Sequence, residues 1–462
     1  MLTAISKTNL RRLISERIKQ FPLGERMARG ALWSLVGGVA TKLLSVPASV
    51  VLARLMGAVH YGELAIIQSS VELFSVFAGF GLGITATKHV AELRGKDPQR
   101  TGRILALSTA TACMTGIVVA VLLFALSPWL AERTLSAAHL AGPLRIGAVL
   151  LFLASLGGAQ CGALYGFEAF RAAARLQAIV GLLNAPFTVV GYLVYGLRGV
   201  LWGMVAGKFV ECLLRHLAVR AEARRAHITM QYRQCTQELP VLWQFSLPAL
   251  MSGVLVIPVN WVCVAVLVNH PNGYAEMGIY NAASQWYNAL LFLPVTLGAV
   301  LLPLLSDRMG EGDARGSSGV VSFMMRFNAA IMLPCVIGIS LASPWIMRVY
   351  GRGYSHSWLT LVLVVITAGL FAVLMPVGDV IAASGRMWLG CVMNAGWAIV
   401  LVFSTILLVK LGLGSVGLAS ARLFAYSVHS IWTLMFAYNV LRKTKAGTYL
   451  DNLQTMITEP TQ

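Results

Sequence analysis

The chain has 462 residues, 57% of them hydrophobic and 12% charged, with a mean hydropathy of +0.74 and a net charge of +18. A soluble globular domain carries about 25% charged residues, so this composition excludes that class. The positive excess would suit nucleic acid, but it sits in short loops between apolar runs. Membrane topology accounts for it there, and a nucleic-acid partner is excluded.

The first segment, 1–29, contains "KTNLRRLISERIKQF". Leu10, Ile14, Ile18 and Phe21 share one helical face, and Arg11, Arg12 and Lys19 lie off it. This pattern predicts a basic amphipathic helix on the inner leaflet, serving as a topology anchor. Apolar runs long enough to cross a bilayer follow to the end of the chain. The predicted spans are 30–56, 62–86, 104–127, 146–166, 176–195, 199–219, 242–268, 278–305, 322–345, 357–384, 388–409 and 413–440. The first is long enough to stay as a helix, so no cleavable signal peptide is expected. Of the 36 Lys and Arg, three are placed inside the membrane, Lys42, Lys208 and Arg422, while Arg54, Arg215 and Arg326, near the ends of their spans, are counted with the adjoining loops. Seven fall on one side, namely Arg54, Arg133, Arg145, Arg198, Arg348, Arg352 and Lys410, and the other 26 on the opposite side. That bias puts both termini in the cytoplasm. The seven cysteines have no C-x-x-C spacing and read as small packing residues.

The chain also repeats itself. "YGELAIIQSS" at 61–70 resembles "MGIYNAASQW" at 277–286, and "VVGYLVYGLRGV" at 189–200 resembles "TILLVKLGLGSV" at 405–416. Both pairs are 216 residues apart. An even number of spans separates the copies, so both halves insert the same way round. The expected fold is all-α and polytopic, with twelve transmembrane helices in two pseudo-symmetric six-helix bundles around a central cavity. The bundles are 30–220 and 242–441, joined by a basic cytoplasmic linker at 221–241 and followed by a cytoplasmic tail at 442–462.

The spans that open each half carry polar faces. At 100° per residue, Ser34, Gly38, Thr41, Lys42, Ser45 and Ser49 fall together on the first. Gln68, Glu72, Ser75, Gly79 and Gly83 do so on the second, and Asn281, Ser284, Gln285 and Asn288 on the eighth. The seventh is weaker, with Ser246, Gly253 and Asn260. Close packing explains the glycines and serines. It explains Lys42, Glu72, Gln285 and Asn288 poorly, because a charge at mid-membrane costs about 2.5–3.5 kcal/mol on insertion scales. These faces are expected to line the cavity; a Lys42–Glu72 ion pair with a purely structural role is the competing reading. Lys208 and Glu211, three apart, are expected to neutralise each other. Arg422, Tyr426 and His429 share a face of the last span, with Asp379 as the nearest counter-charge by position in the second half. They form either a proton or cation site, with Glu72 as a further candidate, or a buried pair. Prolines 47, 248, 258, 294, 303, 334 and 376 favour kinks.

No nucleotide-binding P-loop, H-E-x-x-H or G-x-S-x-G occurs. The longest outer loop, near 128–145, has no room for a catalytic domain. Neither catalysis, a cofactor nor a metal is expected.

The start "ARGALWSLVGG", the run "RLMGAVHYGELAIIQSS" into "GFGLGITATKHVAELRGKD", and "MGIYNAASQWYNALLFLPVTLGAVLLPLLSDR" together resemble the Wzx-type polysaccharide and O-antigen flippases. These belong to the multidrug/oligosaccharidyl-lipid/polysaccharide exporter superfamily. The resemblance runs from about 27 to 442. It implies a bacterial inner-membrane protein of polysaccharide or lipopolysaccharide biosynthesis. The implied cargo is an oligosaccharide linked through pyrophosphate to undecaprenol, moved between leaflets with ion-gradient coupling, beside polysaccharide assembly proteins as partners. It also implies a cationic cavity. Lys42 best matches a basic group there, for the pyrophosphate, while Gln68, Glu72, Asn281, Gln285 and Asn288 complete the expected substrate-binding set. The seventh and eighth spans lack a basic residue in their cores, a departure from the more cationic members. Two other readings remain open: a drug exporter of the same superfamily, using Glu72 and Asp379 as acids, and an integral membrane glycan polymerase or ligase.

Overall fold

A hydrocarbon interior offers backbone groups no water, so a chain this apolar must close its hydrogen bonds within helices. In the computed structural model, which describes residues 22–247, 250, 254–310, 314–384 and 387–458, every regular element is a helix. The amphipathic segment expected before residue 22 lies outside the described residues, as do the side chains of 22–37, 40–43, 297, 299–315, 382, 383, 387 and 440–458.

The first helical run, Pro22–Gly79, breaks at Gly57, where φ is 71° and ψ 172°. Glycine adopts that conformation without a Cβ penalty. The break divides the run into α1 (22–56) and α2 (58–79). A second break at Phe80 and Gly81, both at positive φ, leads into α3, Leu82–Leu93. Both α2 and α3 pack on α4 (Pro98–Trp129) and α5 (Ala141–Gly166), so they form one interrupted rod. Asp97 caps α4 by accepting from the Arg100 backbone N–H, and Pro98 takes the first helical position, where no N–H is needed. The run Phe170–Arg225 breaks at Tyr195 and Gly196 into α6 (170–194) and α7 (197–225). A tight turn at Tyr232–Glu238 and a wider one at Leu242–Ser246 precede α8, Val256–Val268. Then come α9 (Gly273–Gly310), α10 (Ala314–Tyr350), α11 (Trp358–Ala383), α12 (Met387–Lys410) and α13 (Gly414–Thr458). With α2–α3 taken as one rod, the described helices make twelve rods, the expected number.

The repeat extends to the borders of elements. The breaks at Gly57 and Gly196 recur at Gly273, which starts α9, and at Gly412, with φ 80°, between α12 and α13. The two halves meet reciprocally at one crossing of α2 and α9. Gly62 lies against the Tyr274 carbonyl, Gly278 lies against the Ala58 carbonyl, and neither leaves room for a Cβ. Ala58 pairs with Tyr274, and Gly62 with Gly278, at the same offset, as a pseudo-twofold relation requires.

That crossing lies at the end of the molecule opposite the termini. There one continuous core joins both halves, with Leu64, Ile66, Ile67, Leu135, Leu140, Leu144, Tyr350 and Tyr354 fully buried. Polar bonds add to it: Ser136 Oγ donates to Asn269 Oδ1 at 2.6 Å, Asn269 Nδ2 donates to the Thr134 carbonyl at 2.6 Å, and the Tyr274 hydroxyl donates to the Leu135 carbonyl at 2.7 Å. Among the described residues, the apolar clusters at the terminal end are separate in the two halves. The segment between the halves is strapped to the first one. Glu238 accepts from Arg100 and Arg103 at 3.1 and 3.2 Å, and the hydroxyls of Thr85 and Ser246 lie 2.7 Å apart. Leu242, Phe245 and Ser246, expected to open the second bundle, thus pack on α3 of the first.

Candidate functional site

Three adjoining cavities occupy the interior on the terminal side of the shared core. The first, about 530 Å³, is lined by Ser45 and Ser49 of α1, Gln68 of α2, Gln177 and Asn184 of α6, and Gln285 of α9. The second, also about 530 Å³, shares Gln68, Asn184 and Glu211 with the first and adds Glu72 and Lys208. The third, about 250 Å³, shares Glu72 and lies mostly in the second half, among Asn260, Asn281, Ser284, Asn288, Tyr287 and Arg422. The helices α2 and α9 stand between them. On α9, Asn281, Ser284 and Asn288 follow i, i+3, i+7 spacing into the third cavity, and Gln285 turns to the first. On α2, Gln68 turns to the first and second, and Ser69 and Glu72 reach the third.

Five of the six residues expected to bind substrate therefore line these adjoining cavities. The sixth, Lys42, lies on α1 between Gly38 and Ser45, both of which line the first cavity, and its side chain is outside the described residues. The four candidates for ion coupling do not converge. Glu72 and Arg422 share the third cavity, but Asp379 and His429 are not among its lining residues. The Asp379 Oδ2 is buried without a hydrogen-bond partner, and His429 Nδ1 accepts from the Trp432 indole N–H at 3.0 Å. Among the described residues no ion pair joins Asp379 to Arg422. Instead the guanidinium donates to the Tyr280 hydroxyl at 2.8 Å and sits 4.6 Å from the centre of the Tyr287 ring and 6.0 Å from that of Tyr426.

In the first half, Lys208 and Glu211 pair at 2.9 Å as their spacing predicts. Glu211 also pairs with Arg215 at 2.6 Å, and Arg215 donates to the Gly157 carbonyl at 3.1 Å. Arg215 lines the first cavity, although its charge was assigned to the loop after α7. Its place follows from α7 running unbroken to Arg225, which keeps Arg215 in the helix on the same face as Lys208 and Glu211. The i, i+3, i+7 spacing of Lys208, Glu211 and Arg215 was the available signal.

Among the described residues, twelve helical rods in two like halves around cavities with polar side chains define a multi-pass membrane protein of transporter architecture. A solved structure with that architecture, a multidrug resistance MATE family transporter of the MOP superfamily in an inward-facing conformation, is similar with a TM-score of 0.64 at 16% identity, over 90% of this chain and 99% of that one. Residues 27–309 match the family described as polysaccharide biosynthesis protein, and the chain belongs to that family. Among curated relatives, the EPS I polysaccharide export inner membrane protein EpsE of Ralstonia nicotianae is 24% identical over 74% of this chain and 78% of its own length. The succinoglycan biosynthesis transport protein ExoT of Rhizobium meliloti is 23% identical over 90% of this chain and 80% of its own.

Proposed function

We propose that the protein moves an oligosaccharide, joined through pyrophosphate to undecaprenol, from the cytoplasmic to the periplasmic leaflet of a bacterial inner membrane. The two halves rock against each other, parting at their far-end contact to open the interior outward, driven by an ion gradient. The observation that carries this reading is the set of adjoining cavities lined by amides and hydroxyls from both halves. Sugar hydroxyls leaving water need replacement hydrogen bonds, and Gln68, Asn281, Gln285 and Asn288 offer them. The lipid tail stays in the bilayer, so only the head group needs a polar route. Lys42 holds the pyrophosphate, Glu72 tempers the charge, and no covalent chemistry is required. The excess of Lys and Arg on the side of the termini supports cytoplasmic ends, and polysaccharide assembly proteins are the natural partners.

Export of cationic drugs is the competing reading. It needs an acidic interior, whereas the acids Glu72 and Glu211 here face Lys208, Arg215 and Arg422. Reconstitution into liposomes tests the proposal directly. With an imposed ion gradient, the protein should transfer a fluorescent lipid-linked oligosaccharide across the bilayer. Transfer no faster than in protein-free liposomes would overturn it. In cells, Lys42→Ala should abolish surface polysaccharide and Lys42→Arg should keep part. Normal polysaccharide from Lys42→Ala at wild-type expression would remove Lys42 from the mechanism.

A further inference from the structure

We infer that the third cavity is an oxyanion subsite, in which Arg422 receives an anionic group of the cargo's head. The inference rests on the flippase reading and adds to it where negative charge docks.

A guanidinium inside a membrane protein is costly unless its five donors are met. Arg422 donates to the neutral Tyr280 hydroxyl, and its Nε is buried with no partner. Among the described residues it has no ion pair. The rings of Tyr287 and Tyr426 offset part of the cost through their faces, but a ring takes no hydrogen bond in the guanidinium plane. The first half treats its charges differently: Lys208 and Arg215 are both spent on Glu211. Arg422 is thus the cation of the described interior that is left without an acid.

An arginine keeps its proton throughout the accessible pH range. Arg422 therefore cannot carry protons for ion coupling, and its fixed charge and planar fork suit a carboxylate or a phosphate. Its neighbours complete a sugar-sized site. The Ser284 hydroxyl is buried without a partner, and Asn281 and Asn288 open on the same space. At about 250 Å³ the cavity falls below the roughly 300 Å³ where drug-sized pockets begin. It takes one ring or one phosphate group, not a chain. Glu72 faces this cavity from α2 and opposes an anion there, so its removal should tighten binding.

Two parts of the cargo can supply the oxyanion: a sugar carboxylate or the pyrophosphate. Binding to the purified full-length protein in nanodiscs of neutral lipid separates them, with glucuronate, glucose and inorganic pyrophosphate as probes, followed by ligand-observed NMR. Wild-type protein should bind at least one anion more tightly than glucose. Arg422→Gln should weaken that anion by about tenfold or more, the effect of losing a charged hydrogen bond, and leave glucose unchanged. Arg422→Lys should lose less, and Glu72→Gln should gain. Loss confined to glucuronate assigns the site to a sugar acid, and loss confined to pyrophosphate assigns it to the lipid linkage. The inference is overturned if wild-type protein binds neither anion more tightly than glucose, or if folded Arg422→Gln binds both within about twofold of wild type. If Arg422→Gln does not fold, Asn288→Cys with Arg422 intact, in a background without native cysteines, decides. Failure of either anion to protect that thiol from alkylation better than glucose does overturns the site. Because these are binding measurements, absent transport with intact anion binding would sink the flippase reading and leave the subsite standing.

Discussion

On α7 one carboxylate holds two cations, since Glu211 meets Lys208 at 2.9 Å and Arg215 at 2.6 Å. Removing the shared partner leaves two positive charges facing each other in a half-wet interior. Breaking a fully buried pair costs about 3–5 kcal/mol, and exposure of Lys208 reduces this. Glu211→Ala should therefore cost about 2 kcal/mol, seen as a lower melting temperature in detergent. The double change Glu211→Ala, Lys208→Ala should recover part of the loss, whereas equal melting of the single variant and wild type would show that the triad does not stabilise α7. The pairing of Lys208 with Glu211 was legible because i, i+3 neighbours meet on any helix. The role of Arg215 was not, because a charge near the end of a span reads equally well as part of the adjoining loop. The tyrosine surroundings of Arg422 were only half legible. Tyr426 lies on its own helix, but Tyr280 and Tyr287 come from α9, and no periodicity within one helix reports which helix packs beside it.

The crossing of α2 and α9 depends on two glycines that let backbones touch. Gly62 and Gly278 are each pressed against a carbonyl of the opposite helix, so any side chain must push the halves apart at that end. Overpacking a fitted contact costs about 1–3 kcal/mol, and here the cost falls on the far-end-closed arrangement alone. Gly278→Val should shift the population toward an opened far end. The shift is measurable as slower cross-linking of a Ser136→Cys, Asn269→Cys pair by a short bifunctional reagent, in a background without native cysteines. Unchanged cross-linking would mean that the helices relax around the valine. The helices were the legible part of this fold, because apolar length and loop charge mark each rod. The repeat was legible as well, and the matching breaks at Gly57 and Gly196 with Gly273 and Gly412 extend it. The allegiance of Leu242–Ser246 was hidden. Those residues are apolar enough to begin a span, yet Thr85, Lys88 and the buried Glu238 clamp hold them to the first half.

At the scale of the whole molecule these contacts divide into two kinds. Those at the far end join one half to the other: Ser136 to Asn269, Tyr274 to the Leu135 carbonyl, and the glycine crossing. The Thr85–Ser246 contact at the terminal end looks like a second bridge in sequence terms, since its partners are 161 residues apart. In packing terms it lies within the first half, because Glu238, Leu242 and Phe245 are all seated there. Rigid rocking of two halves must break the first kind and spare the second. A covalent link between Ser136→Cys and Asn269→Cys should therefore stop transfer of lipid-linked oligosaccharide in liposomes, with activity returning on reduction. A link between Thr85→Cys and Ser246→Cys should leave at least about half of the activity. The control is decisive in both directions. If the second link also arrests transfer, the terminal-end strap moves during the cycle and the boundary between the halves belongs before Glu238. If the first link leaves transfer intact, the halves do not part at the glycine crossing, and cargo must leave the interior by a route other than the far end.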